Sequence, residues 1–167
     1  MIMFAHMTNG TAEFLQKIID KHPEKHISLM HGESSSLAYY EDKAKSIFNS
    51  GREYVILITI GAVQEEGYVV MNNIPVTEEG QPVFEHHFQN RKHEVEKMPG
   101  FQAFRLLKPK KGNTYIVFTQ WRSVQDFENW KTSDQFKQAH KNPSVKTPDY
   151  YADRPFITSY HMVTEEK

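Results

Sequence analysis

Hydrophobic and polar positions in the second half of the chain recur with the two periods that distinguish strands from helices. Segments with the two-residue period predict strands at 67–76, 101–108, 114–123 and 156–164. A helix is predicted from Gly80 to Met98, with Pro82 in its first turn, and a second helix begins at Ser123. The resulting order, β-α-β-β-α-β, is that of the ferredoxin-like fold.

The first half repeats this order with a weaker signal. Its predicted strands cover 2–7, 26–32, 36–41 and 54–60. Thr11 to His22 predicts one helix, and residues 42–50 predict a second helix of barely two turns. The evident boundary is 61–66, so we predict a shorter half at 1–63, without an active site, and a longer domain at 67–164.

Each predicted half carries its helices on one face of a sheet and leaves the other face bare. Packing the two bare faces together covers both of them within one chain. The sequence therefore predicts an α+β protein in which two ferredoxin-like halves form a pseudo-dimeric α+β barrel. It further predicts a monomer with dimer-like internal architecture.

Composition narrows the class of function. The chain has 20 Lys and Arg against 21 Asp and Glu. This balance produces no strong electrostatic field that would indicate binding to nucleic acid or to a membrane surface. No apolar run of about 18 residues is present, so a membrane span is excluded. The absence of cysteine excludes disulfides, zinc-thiolate sites and thiol nucleophiles. The amino terminus lacks the pattern of a secretory signal, and the cytoplasm is the expected compartment.

Asn72 is the first candidate for chemistry. On the strand at 67–76 it shares a face with Tyr68, Val70, Ile74 and Val76, so one amide interrupts an apolar row. One interpretation is that the Asn72–Asn73 pair only loosens the strand near a proline. The other is that the amide is aimed into an apolar cavity, where it would be costly unless a ligand met it.

The helix from Gly80 to Met98 raises a similar question. Arg91 occupies a position of its apolar stripe, which also contains Phe88. The arginine stem can follow the core rim to water, or the guanidinium can face a ligand carboxylate. We interpret His86, His87 and His93 as solvated or rim residues, because no acidic partners at ligand spacing accompany them.

Trp130 and His140 are ten positions apart and are separated by a Thr-Ser-Asp break. On one unbroken helix they would lie roughly 15 Å apart along the axis. Ser133 is a good N-cap, so a new short helix can begin there and both side chains can border one wide, flat cavity. The alternative is that Trp130 belongs to the core and His140 caps a helix C-terminus.

The segment FENWKTSDQFKQAHK, at 127–141, resembles the signature of the IsdG-type haem-degrading monooxygenases. These belong to the antibiotic-biosynthesis-monooxygenase-like (ABM) group of dimeric α+β barrels. FTQWRSVQDFENW and NNIPVTEEGQPVFEHHFQNR support the resemblance, which extends over 67–164. It implies that the longer half is an ABM-type monooxygenase domain.

The resemblance also implies residue roles. His140 corresponds to the axial ligand of the haem iron, Asn72 to the distal hydrogen-bond donor, and Trp130 to the aromatic residue against the porphyrin. Phe88 and Arg91 match a family F-x-x-R pattern and are implied pocket residues. Haem would be both substrate and cofactor, used with O2 and electrons from an external donor, either a reductase or a small-molecule reductant.

Three alternatives stay open at this point. A metal-free quinol or polyphenol monooxygenase of the same fold needs no histidine ligand. A haem carrier uses the same ligand without turnover, and a non-catalytic stress-response barrel binds no haem. Asn73 also stays open as the distal residue in place of Asn72. One site per chain is expected, because the shorter half lacks the tryptophan and the histidine.

Overall fold

The computed structural model describes residues 2–89, 94–134, 136 and 149–164. The strands are β1 Phe4–Gly10, β2 Ser28–Gly32, β3 Ser36–Asp42, β4 Arg52–Gly61, β5 Tyr68–Pro75, β6 Phe101–Pro109, β7 Thr114–Trp121 and β8 Phe156–Met162. The α-helices are α1 Ala12–Lys21, α2 Gln81–Gln89 and α3 Val124–Lys131. Short 3-10 turns cover Glu78–Gly80 and Glu94–Lys97.

The strands form a closed barrel in the order β1-β3-β2-β8-β5-β7-β6-β4, and β4 pairs with β1 to close it. Within the first half the order is β4-β1-β3-β2, and the second half repeats it as β8-β5-β7-β6. The halves join edge to edge, through β2 with β8 and through β4 with β6. This confirms the predicted pseudo-dimeric α+β barrel built from two ferredoxin-like halves.

The bare faces of the two sheets meet inside the barrel, as predicted. The interior core draws on both halves and contains Ala5, Met7, Met30, Leu37, Tyr39, Tyr54, Val69, Met71, Leu107, Ile116, Phe118 and Tyr160. Inside the barrel, Arg105 on β6 is 3% exposed, and its Nε donates to Glu41 Oε2 on β3 at 2.8 Å. This ion pair therefore ties the two halves together across the interior.

A second core lies outside the barrel, between the sheet of the second half and helices α2 and α3. We call it the helix-side cluster; its buried members are Val70, Ile74, Val76, Phe84, Phe88, Val95, Phe104, Leu106, Tyr115, Trp121 and Trp130. Phe84, Phe88 and Val95 belong to the apolar stripe that the sequence places on the helix after β5. A smaller cluster under α1 contains Leu15, Leu29, Ala38, Tyr40 and Phe48.

The prediction of a helix at 42–50 is wrong, because Asp42 is the last residue of β3 and residues 43–50 have no regular secondary structure. Asp42 Oδ1 accepts from the backbone N–H groups of Lys43 and Ala44 at 2.6 and 3.3 Å, which turns the chain at the point where a helix would start. The Tyr40 hydroxyl then accepts from the Ile47 N–H at 2.9 Å. Side-chain contacts to the backbone thus replace the hydrogen bonds of a helix.

The helix predicted from Gly80 to Met98 is confirmed over its first part, and residues 90–93 lie outside the described structure. The described residues give α2 up to Gln89 and a 3-10 turn at Glu94–Lys97. No helix in the described ranges has the length and apolar character needed to cross a membrane.

Candidate functional site

Asn72 lies on the outward face of β5, on the side of the helix-side cluster. Its strand neighbours on that face, Val70 and Ile74, are 4% and 3% exposed. Across the ladders it is paired with Val117 on β7 and with Ile157 on β8, and Ile157 is 60% exposed. Asn72 is therefore a single amide in an apolar surface that is partly open beside it.

The Asn72 amide is incompletely satisfied within the described structure. Its Oδ1 atom is buried and has no hydrogen-bond partner there. A buried amide oxygen without a partner costs about 1–3 kcal/mol. Such a group in a folded protein calls for a specific explanation, and a functional role is one of those that apply.

Asn73 points into the barrel and has a different environment. Its Nδ2 donates to the Met71 and Phe156 carbonyls and to Thr158 Oγ1, each at 3.2 Å. The donor of Asn73 is therefore occupied in holding β8 to β5. This supports Asn72, rather than Asn73, as the amide that faces the helix-side cluster.

Trp130 ends the buried face of α3. Ser123 caps the start of this helix by accepting from the Asp126 N–H at 3.2 Å. Trp130 is 7% exposed and stacks on Trp121, with ring centroids 6.2 Å apart and an interplanar angle of 27°. The indole also packs nearly perpendicular to the Phe136 ring, with ring centroids 5.4 Å apart. Trp130 thus belongs to the helix-side cluster, on the same face of the sheet as Asn72.

The predicted break after Trp130 is present. Helix α3 ends at Lys131, and the Ser133 hydroxyl donates to the Trp130 carbonyl at 2.6 Å. The same hydroxyl accepts from the Phe136 N–H at 3.1 Å, the contact expected of an N-cap. Ser133 thus follows the end of α3 and satisfies the Phe136 N–H, while most of the short helix predicted to begin here lies outside the described residues.

Phe88 lies on the buried face of α2 and is 8% exposed. Its ring centroid is 5.0 Å from that of Phe84. The helix is held to the sheet at Glu85, which accepts from the Tyr115 hydroxyl and lies 2.9 Å from Lys108 Nζ. Burial and the neighbouring carboxylate both raise the pKa of Tyr115, which keeps the phenol a neutral donor. These contacts fix the position of Phe88 above the sheet.

The segment 149–152 closes the edge of the cluster near the end of β5. The Tyr150 carbonyl accepts from the Thr77 N–H at 2.7 Å, and the Ala152 N–H donates to the Pro75 carbonyl at 2.9 Å. Gly80 permits this approach, because a Cβ there would lie 2.1 Å from Tyr150 Cβ. Tyr150 and Ile157 were not predicted as site residues; for Tyr150 the available signal was a pair of adjacent tyrosines in a proline-rich stretch.

Two predicted site residues, His140 and Arg91, lie outside the described residues, as does His93. His86 and His87 are exposed on α2, in agreement with their interpretation as rim residues. Among the described residues, no group of three or more His, Asp or Glu side chains could hold a metal ion. The structure therefore brings Asn72, Phe88 and Trp130 to one side of one sheet.

Known proteins resemble this chain in sequence and in fold. The family model described as antibiotic biosynthesis monooxygenase matches residues 67–142. A haem-degrading monooxygenase of Listeria monocytogenes is 28% identical over 132 residues, which are 79% of each chain. The signal transduction protein TRAP of Staphylococcus aureus is 30% identical over 128 residues, 77% of each chain.

One solved structure, described as a major regulator of staphylococcal pathogenesis, superposes with a TM-score of 0.88. The superposition covers 96% of this chain and 99% of the other, at 22% identity. It shows that the pseudo-dimeric barrel is a fold shared over the full length of both chains.

Proposed function

We propose that this chain, which belongs to the antibiotic biosynthesis monooxygenase family, is a haem-degrading monooxygenase. The proposal is supported by the similarity to the Listeria haem-degrading monooxygenase. The observation that carries it is the Asn72 amide, which lies on the apolar face that also holds Trp130 and whose Oδ1 is buried without a partner among the described residues. An amide kept there at a cost to stability suits a ligand that is flat and apolar but needs one polar contact.

In this proposal haem is the substrate, and its iron supplies the oxygen chemistry with electrons from an external donor. His140 would hold haem through its iron. Asn72 would supply its Nδ2 as the hydrogen-bond donor to oxygen, where negative charge develops, since its Oδ1 can only accept. Trp130 would pack against the macrocycle, and distortion of the ring is one of the protein's means of tuning haem.

Two further residues complete the proposed pocket. Phe88 contributes part of its apolar wall. Arg91 pairs its guanidinium with a haem carboxylate, for which the planar fork is well matched. The chain would act as a monomer; the described strands form a closed barrel without a free sheet edge, so a second copy cannot associate by strand addition.

Titration of the protein with haemin tests the binding step. A Soret shift that saturates at about one equivalent is expected for the native chain. His140→Ala should lose the shift, whereas His87→Ala, which removes an exposed imidazole from α2, should retain it. An unchanged spectrum in His140→Ala would refute the axial assignment, and no shift in the native protein would favour the metal-free quinol monooxygenase.

One relative is named for signal transduction and not for an enzyme, so the second candidate is a protein without turnover, which would bind haem at the same proposed site. The two candidates differ once ascorbate and air are added to the complex. The monooxygenase loses its Soret absorbance as the porphyrin opens. The haem-binding protein retains it.

A further inference from the structure

A cavity of about 600 Å³ opens at one end of the barrel, on the opposite side of β5 from Asn72. Its floor is formed by Met71 and Ile116, which are buried members of the interior core. The turn between β2 and β3, residues 32–35, and the start of β8 form its rim. The mouths of β-barrels are frequent sites for small ligands, and this volume is typical of such sites.

Three aromatic side chains stand in the mostly polar lining of this barrel-mouth cavity. Tyr54 and Tyr160 are 5% and 8% exposed and line it from β4 and β8. Phe156 lies at the rim with 53% of its surface exposed, which is unusual for a large apolar side chain. Together with the floor residues, these three side chains provide apolar surface against which a planar ring can pack.

One cation faces this cavity. Arg52, at the start of β4, is exposed and lines it, and its Nη2 donates to Asn9 Oδ1 at 2.8 Å. Within the described residues no carboxylate pairs with Arg52; Glu33, the acidic residue of the lining, makes no ion pair there. Burial raises the pKa of Tyr54, and the neighbouring guanidinium opposes that shift, so cation and phenol are close together. A planar guanidinium with free donors is well matched to a carboxylate.

Asn73 adds a fixed acceptor. Its Nδ2 is fully engaged by the carbonyls of Met71 and Phe156 and by Thr158 Oγ1, which sets the orientation of the amide. No described residue donates to its Oδ1, and Asn73 lines the cavity. A carboxamide has two donors and one acceptor, so the acceptor remains available to a ligand hydroxyl or amine.

We infer that the barrel-mouth cavity binds a small aromatic carboxylate. Arg52 pairs with the carboxylate, the ring lies against Phe156 and the two tyrosines, and Asn73 accepts a hydrogen bond from a ring substituent. The two adjacent asparagines of β5 then serve opposite faces of one strand: Asn72 faces the helix-side cluster, and Asn73 faces this second site. This inference is independent of haem binding.

Titration of the 15N-labelled full chain with 4-hydroxybenzoate, followed by amide chemical shifts, tests the inference. Shifts are expected at the rim, in residues 32–35 and 156–160, and at Asn73. Arg52→Gln should weaken binding by about tenfold or more, because a hydrogen-bonded charge pair is lost. Arg52→Lys keeps the positive charge but loses the planar guanidinium. Its affinity for 4-hydroxybenzoate should lie between those of the native chain and Arg52→Gln. The neutral analogue 4-hydroxybenzamide should bind as weakly to the native chain as 4-hydroxybenzoate does to Arg52→Gln.

Arg122→Gln is the matched control, since Arg122 is exposed just after β7, at the other end of that strand from Thr114, which lines the cavity. It should bind 4-hydroxybenzoate as the native chain does. The inference is overturned if no shifts appear, if they map to α2 and α3 instead of the rim, or if Arg52→Gln binds as tightly as the control. Equal binding of the benzamide would likewise refute the role of Arg52.

Discussion

The two adjacent asparagines of β5 should respond to the same substitution with opposite signs. Asn72→Leu removes an amide whose Oδ1 is buried without a partner among the described residues, whereas Asn73→Leu removes an amide whose two N–H donors are shared among three acceptors. We expect Asn72→Leu to stabilise the protein and Asn73→Leu to destabilise it. The comparison is well matched, because strand propensity favours leucine over asparagine at both positions.

The magnitudes follow from the contacts. Replacing an unsatisfied buried polar atom with an apolar side chain of similar size recovers about 1–2 kcal/mol at Asn72, where the side chain is only partly buried. At Asn73 two N–H donors are shared among three acceptors. Losing their hydrogen bonds, at about 1 kcal/mol net per donor, and leaving the acceptors unpaired costs about 2–4 kcal/mol. For a chain of this size each kcal/mol shifts the melting temperature by about 2–4 °C.

Urea unfolding followed by tryptophan fluorescence measures both changes, with thermal melting as a second readout. The free energy of unfolding should rise for Asn72→Leu and fall for Asn73→Leu relative to the native chain. If Asn72→Leu is destabilised as well, its amide contributes to folding in the same way as that of Asn73. The reasoning that Asn72 is retained for a ligand would then be refuted.

Three further changes test other parts of the structure. Glu41→Ala leaves Arg105 buried without its carboxylate and should cost about 2–4 kcal/mol in urea unfolding; no loss would show that the pair is solvent-screened. Gly80→Ala places a methyl group 2.1 Å from Tyr150 Cβ and should cost about 1–3 kcal/mol, whereas an unchanged melting temperature would show that the segment moves aside freely. The pKa of His6 in the folded protein is lowered from 6.5, chiefly by burial. As the pH falls, this histidine is therefore protonated in the unfolded chain at a higher pH than in the folded protein. The unfolding free energy should therefore fall as pH drops from about 7 through the lowered pKa, and this slope should be shallower in His6→Gln; an equal slope would contradict the assignment.

Much of the fold could be predicted because it depends on local pattern. The two-residue period in segments such as 67–76 and 114–123 corresponds to strands that have one face inside the barrel and one under helices. The edge-to-edge joining of β2 with β8 and β4 with β6 depends on contacts between the halves, which no local pattern encodes. The helix prediction at 42–50 was wrong although the apolar spacing of this segment suits a helix. The Asp42 side chain accepts hydrogen bonds from the backbone N–H groups of Lys43 and Ala44 and turns the chain there.

The candidate site was partly predictable for the same reason. Alternation along β5 placed Asn72 on the face of Val70 and Ile74, and the structure puts these apolar neighbours in the helix-side cluster. Tyr150 and Ile157 were missed because they reach the site through pairing with distant segments of the chain. The family match confirms the resemblance, while the roles of His140 and Arg91 stay predictions.

Turnover of bound haem tests the central claim most directly. The purified complex would be mixed with ascorbate in air while the Soret band and the release of iron to a ferrous chelator are followed together. We predict loss of the Soret band with release of about one iron per haem, and neither change in His140→Ala supplied with the same haemin. A native complex that keeps its Soret band and its iron would contradict the account and leave a haem-binding protein without monooxygenase activity.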